Sequence, residues 1–336
     1  MRAAITVEAL LAPASCDVSL IDVTVQNLIQ IKNDLLYGSS PPVLEDDARS
    51  KLIAIGGFPC TALFHHNISK LERYAYTGKD VSRLVTQILE IASSISSVEP
   101  IHVADWEDVS MMPELCALAE RKDEIKELMQ SLALRGFIAG GQAFVVHHPV
   151  GEDPIISFNG LLSDIEPALI DVIPKIITNE IFVAGMYLER FLIQEPCDLF
   201  RMAISSYDIK IAYYVGVIRL LSSNGDDWTD FLYSSFSVGD SFIDSLHRNQ
   251  CYVDQRYFGV CFESVVHLLA GMAKYPESTF KVAEGSTTQR KRNSDGAWRT
   301  HITKHVEALR LMYWKSPEGK IELANVGRKA ELHIAE

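Results

Sequence analysis

Between positions 292 and 333 the chain places cations and imidazoles at spacings that extended backbone gathers: Arg292, Arg299, His301, Lys304, Arg310, Arg328, Lys329 and His333. Arg299 and His301 are two apart, so a strand presents both on one face. Arg310 shares a face with Met312 and Trp314 in the same way, leaving Leu309, Leu311 and Tyr313 on the other. Guanidiniums hold phosphate oxygens through paired N–H donors, and an imidazole near neutral pKa exchanges a proton at physiological pH. The chemistry that suits this set is phosphodiester binding and cleavage. Arg310 and Arg328 would neutralise developing charge, and His301 or His333 would serve as general acid or base. Arg299, Lys304, Lys329 and Arg292 would hold the nucleic-acid backbone, and no metal or cofactor is called for.

Other polar groupings read as structural. His65-His66 and His147-His148 are adjacent pairs whose side chains diverge, which makes poor joint metal sites. His301 and His305 are four apart, but they fall in strand and turn sequence, not on a helix. Thr77-Gly78-Lys79-Asp80 lacks the rest of a phosphate loop and reads as a helix cap. Asp105-Trp106-Glu107-Asp108 reads as a solvated acidic loop.

The elements that must position these groups fall into two textures. Val81, Leu84, Val85, Ile88, Ala92 and Ile95 repeat at helical spacing behind Asp80 as cap. A second helix is expected from Pro113, with Ile125, Leu128 and Leu132 inward and Glu120, Arg121, Asp123, Glu124 and Lys126 wet. Ala143–Val146 reads as one short buried strand. Ser163-Asp164-Ile165-Glu166 has the form of a capping box, and long apolar helices are expected over 170–191 and 199–221. Asn224-Gly225-Asp226-Asp227 is a loop, Glu45-Asp46-Asp47 a solvated helix start, and Phe258 to Met272 the body's last helix. Beyond Pro276 come short strands over 298–302, 309–314, 320–326 and 332–334, with Ser316-Pro317-Glu318-Gly319 as a type I turn. The 257–272 helix is the expected packing partner of this small sheet.

The reading is therefore a mainly α chain: an acidic, mostly helical domain over 1–235, and a basic α+β module with an antiparallel sheet over 236–336. The loop 151–160 is a possible divide within the first domain. Charge follows the same split, with 19 basic against 36 acidic residues up to position 273 and 12 against 8 beyond it. An acidic body argues against unselective nucleic-acid binding, and a basic module reopens it locally. Six scattered cysteines without a CxxC pair read as reduced thiols. With neither a signal peptide nor an uninterrupted apolar span, a cytoplasmic protein with no membrane partner is expected.

Leu309-Arg310-Leu311-Met312-Tyr313, the hairpin turn, and Ile321-Glu322-Leu323-Ala324-Asn325-Val326-Gly327-Arg328-Lys329 together resemble the RelE/ParE toxin superfamily over about 60 residues. That resemblance implies a helical hairpin packed on an antiparallel sheet, and metal-independent cleavage of messenger RNA at the ribosome or inhibition of gyrase. It implies that Arg310 holds the scissile phosphate and that Arg328 or Lys329 stabilises the transition state. Arg299 and His301 fall where RelE-type nucleases are basic. His333 falls near a last-strand tyrosine that this chain lacks. The expectation is a toxin-like or host-defence protein whose acidic body regulates the RNA-cleaving module. The expected partners are RNA or the ribosome, an antitoxin or regulatory protein, and further copies of the chain. The competing expectation is a non-enzymatic oligomeric scaffold whose basic tail docks a partner protein or nucleic acid.

Overall fold

The structure, a computed structural model, describes residues 3–56, 61–71, 75–98, 100–101, 103–115, 119–228, 231–283, 285–304, 307–331 and 333–336. The chain divides into two units, Met1–Arg190 and Phe191–Glu336. Each is built on a six-stranded sheet, which overturns the expected mainly α architecture with a single small strand in the body. No helix among the described residues is long and apolar enough to cross a membrane.

In the first unit the strands are β1 (Ala3–Ile5), β2 (Val43–Leu44), β3 (Val103–Met112), β4 (Ala143–Val146), β5 (Ile155–Glu166) and β6 (Lys175–Ala184). Their order is β2-β1-β4-β6-β5-β3. The β2-β1-β4-β6 pairs are parallel, while β5 and β3 add antiparallel edges. β5 and β6 occupy sequence expected to be loop and helix. Ile156, Phe158 and Leu162 turn inward while Ser157 and Asn159 turn out, a period of two. β-Branched Ile176, Ile177, Thr178, Ile181 and Val183 suit β6. The Ser163–Glu166 spacing of a helix cap lies inside β5, where pairing with β3 outweighed a local signal. The loop expected to divide a domain at 151–160 runs into β5, within the first unit.

The helix Gly78–Ile91 forms over Val81 to Ile88 of the expected period but ends before Ala92 and Ile95, and Asp80 is not its cap. Thr77 is its cap and Asp80 returns the bond from the third position. The helix Lys122–Ala139 starts well after Pro113 and ends at Gly140, whose φ of 67° closes it. It lies on the sheet through Ile125, Met129, Leu132 and Ala133, all buried.

The second unit begins with helices Pro196–Met202, Ser206–Asn224 and Phe258–Leu269, which pack together. Gly216 is where Val266 and Phe262 approach: a Cβ there would meet Val266 Cγ2 at 2.8 Å. Gly216→Val is expected to cost about 1–3 kcal/mol by overpacking. Gly259, in the helix Phe258–Leu269, has nothing within 4 Å of its Cβ position, so Gly259→Ala should gain roughly 0.5–1 kcal/mol. Thermal unfolding of the pair of variants checks both signs.

The second sheet runs β7 (Phe236–Val238), β12 (Ile321–Arg328), β11 (Leu309–Lys315), β10 (Asp295–His301) and β8 (Ser278–Thr279), with β9 (Lys291–Arg292) also on β10. The helix on β12 is Phe242–Arg248, where the Val326 N–H donates to Ser245 Oγ at 2.9 Å. The expected partner, Phe258–Leu269, packs on Ser206–Asn224 instead. His333–Glu336 form no last strand. They lie over the sheet as a strap: Trp314 Nε1 donates to the Ala335 carbonyl at 2.7 Å, Ala335 N donates to Asn325 Oδ1 at 2.9 Å, and Ile334 is fully buried.

Candidate nucleic-acid interface

The β10–β11 register decides which cations meet. His301 stands opposite Arg310 and Arg299 opposite Met312, so Arg299, His301 and Arg310 share one face. Cα atoms across such a ladder are roughly 4.5–5.5 Å apart. The Nε atoms of Arg299 and Arg310 are buried without a hydrogen-bond partner, and the backbone of Thr303 faces the His301 imidazole. Among the described residues no carboxylate lies within ion-pair distance of either arginine. Buried donors left unpaired are costly, and a ligand anion would supply what they lack.

Two aromatic rings frame the group. Tyr275 meets the His301 ring edge-to-face at 6.1 Å and carries the Lys304 ammonium 4.3 Å from its centre. The Arg299 guanidinium lies 5.7 Å from the Phe280 ring. Burial, and next the Arg310 charge, hold the His301 imidazole below its ordinary pKa, favouring its neutral form. Burial and Arg299 lower Arg310 as well. The cluster thus holds positive charge without internal compensation.

The remaining basic residues go elsewhere. Arg328 pairs in register with Leu309, while Gly327 stands opposite Arg310. Arg328 therefore points to the opposite face, because one residue of register reverses the side chain. It is 73% exposed and reaches Glu307 at 3.9 Å. Lys329 is exposed in the turn after β12. His333 is exposed on the strap, its N–H bonded to Glu331. Arg292 is paired internally, donating to Glu322 at 2.7 and 3.0 Å and stacking 4.8 Å from the Trp314 ring. The expected set of eight is thus reduced to Arg299, His301 and Arg310 with Lys304 at the margin. Tyr275 joins them unforeseen, since it lies in loop sequence with no pattern tying it to His301. His305 lies outside the described residues.

A second polar cluster, unforeseen as a unit, sits in the first unit at the carboxyl ends of β1, β2 and β4. The chain leaving β1 goes to β2 on one side and, after β3, to β4 on the other, a topological switch point of the kind that often holds ligands. Here the protein's own side chains fill it. Arg121 donates to Glu45 at 2.7 and 3.3 Å and contacts Glu8 at 3.2 Å. Lys51 and the Val7 N–H also reach Glu45, and His147 Nδ1 lies 3.1 Å from Thr6 Oγ1. Thr6, Glu8, Glu45, Arg121 and His147 are all 6% exposed or less. Burial pushes the Glu8 and Glu45 carboxyls up against the opposing pull of Arg121. Glu45 and Arg121 were expected in water; both lie in charged runs, where local sequence gives no sign of burial. Asp105, Glu107 and Asp108, read as loop, are exposed side chains of β3.

Comparisons with protein-family models, with curated proteins and with solved structures return no match.

Proposed function

We propose that the Phe191–Glu336 unit binds RNA on its Arg299–His301–Arg310 face and cleaves it there. One observation carries the reading: two guanidiniums and an imidazole adjoin on one sheet face, with both guanidinium Nε atoms buried and unpaired and, among the described residues, no carboxylate to neutralise them. Two guanidiniums suit a phosphate's non-bridging oxygens. Neutral His301 takes the proton from a ribose 2′-hydroxyl as its oxygen attacks the adjacent phosphorus. The 5′-oxygen leaves with a proton from water, giving a 2′,3′-cyclic phosphate and a free 5′-hydroxyl. Arg299 and Arg310 hold the charge that builds on the phosphoryl oxygens. The expected ribosome and antitoxin partners are not needed for this reading.

The test compares wild type, His301→Asn and the double variant Arg299→Gln/Arg310→Gln on single-stranded RNA. Wild type should bind with a salt-dependent affinity and cut. His301→Asn should bind and not cut, and the double variant should do neither. Because the base form of His301 is the active one and its pKa is lowered, the cleavage rate should rise with pH and level off at lower pH than a free imidazole would give. Equal RNA affinity of wild type and the double variant would reject the site. A second reading, binding without cleavage, is favoured by one observation: His333, the other imidazole expected at the site, lies on the strap. Wild-type binding with no cuts at any pH would select it.

A further inference from the structure

The helix Ser206–Asn224 carries Tyr207, Lys210 and Tyr214 at spacings of three and four, so the three side chains share one face. The chain from Phe231 into β7 lays its rings along that face. The Lys210 ammonium stands 4.0 Å from the centre of the Tyr233 ring and 5.5 Å from that of Phe236. Tyr233 meets Tyr207 and Tyr214 edge-to-face at 6.3 and 5.4 Å. Phe231 stacks on Tyr214 at 5.8 Å and on Phe236 at 6.0 Å. The amine therefore sits at one connected aromatic wall.

A helix-surface lysine ordinarily carries its ammonium out to water. Lys210 is half-buried instead, while its nitrogen keeps a path to solvent. Among the described residues no carboxylate lies within ion-pair distance of it. Asp208, two residues away, is turned to the helix cap, where it accepts from Ser205 Oγ at 2.8 Å. The other titratable groups of this wall are the phenols of Tyr207, Tyr214 and Tyr233. Burial alone lowers the amine from its ordinary 10.5 to about 8. At pH 7 roughly one such amine in ten is uncharged, against fewer than about one in a thousand for an exposed lysine. A desolvated lysine of this kind is a nucleophile for carbonyl compounds.

We propose that Lys210 is a covalent capture site for small aromatic aldehydes, which it holds as a Schiff base against the Tyr233 and Phe236 rings. The amine lone pair bonds to the carbonyl carbon, and the carbonyl oxygen takes up protons and leaves as water. A C=N bond replaces the C=O bond, and nothing is oxidised or reduced. The protonated imine keeps its charge on nitrogen, facing the Tyr233 ring. The aromatic substituent gains ring contacts, whereas a carboxylate substituent would lose hydration against an apolar wall. Lys210 has no part in the RNA site, so either reading can fail alone.

The full chain is incubated with benzaldehyde and sodium cyanoborohydride at pH 7, and the reduced adducts are located by peptide mass mapping. Lys210 should be labelled about tenfold faster or more than the exposed Lys79 and Lys122. With glyoxylate in place of benzaldehyde that lead should shrink to about threefold or less. It should also narrow as pH rises from 7 to 10, because the exposed amines are freed only at the upper end of that range. Lys210→Arg, which keeps a cation on the rings, should lose this adduct and no other. Labelling of Lys210 no faster than of Lys79 would overturn the proposal, as would an equal lead with glyoxylate. A lead that stays constant with pH would overturn it too.

Discussion

Arg121→Met is expected to lower the stability of the Met1–Arg190 unit by about 3–5 kcal/mol, enough to unfold a marginal domain. The guanidinium contacts Glu8, Glu45 and Glu124, and the first two carboxylates are buried. Its removal leaves buried negative charge, with Lys51 the remaining lysine or arginine at Glu45 among the described residues. The sign of the pH dependence follows. Burial raises both carboxyls above the ordinary value of 4.5, so the folded state holds their protons more tightly than the unfolded chain does. Their contribution is fully present below the unfolded pKa and is lost as pH rises through the folded one. Without Arg121 that folded value climbs further. The defect should therefore be largest near neutral and mildly alkaline pH and shrink toward about pH 5. Urea unfolding across that range measures it. The triple variant Arg121→Met/Glu8→Leu/Glu45→Leu should recover part of the loss, since apolar replacement of a buried ion cluster is often neutral or better. A small, pH-independent defect in Arg121→Met would show that the cluster is not the anchor its geometry implies.

Arg310→Met should have opposite effects on binding and folding. Arg310 is partly buried, lowered in pKa by burial and by Arg299, and has a buried Nε without a partner. Removing it relieves a cation pair, so thermal stability should hold or rise. RNA affinity should fall by about 10–100-fold, the worth of one or two charge-assisted hydrogen bonds. Arg292→Met should do the reverse, because that guanidinium closes an internal ion pair with Glu322 and covers Trp314. It should lose stability and leave RNA binding nearly intact. Anisotropy and thermal unfolding on the two variants separate a ligand site, where unmatched charge is kept at the expense of stability, from a structural cation. If Arg310→Met lost stability and kept its affinity, Arg310 would belong to the second kind.

Local pattern reached the elements whose cause is local. The helix behind Thr77 carries its cap and its 3.6-residue period in adjacent residues. The β10–β12 segments carry a period of two and a turn with proline second and glycine fourth. For the same reason the grouping of Arg299, His301 and Arg310 was legible: strand alternation alone puts Arg299 beside His301, and a short hairpin follows Arg310. Arg328 was misplaced because its face depends on register, which the β11–β12 pairing sets and spacing alone does not. The apolar sequence from Ile155 to Ala184 is ambiguous for the same cause, open to helix or strand until β3 and β4 supply edges for it.

By itself, then, the amino-acid sequence determined the amphipathic helices, the basic β-hairpin and the chemistry its cations could offer, because each depends on neighbours within a few residues. Only the tertiary structure decided that the acidic half is built on an α/β sheet, that Arg121 and Glu45 are core rather than surface, and that Gly327 rather than Arg328 faces Arg310. Those outcomes turn on pairings between segments far apart in the chain, where burial and register are shared properties of two strands and no window of one strand contains them.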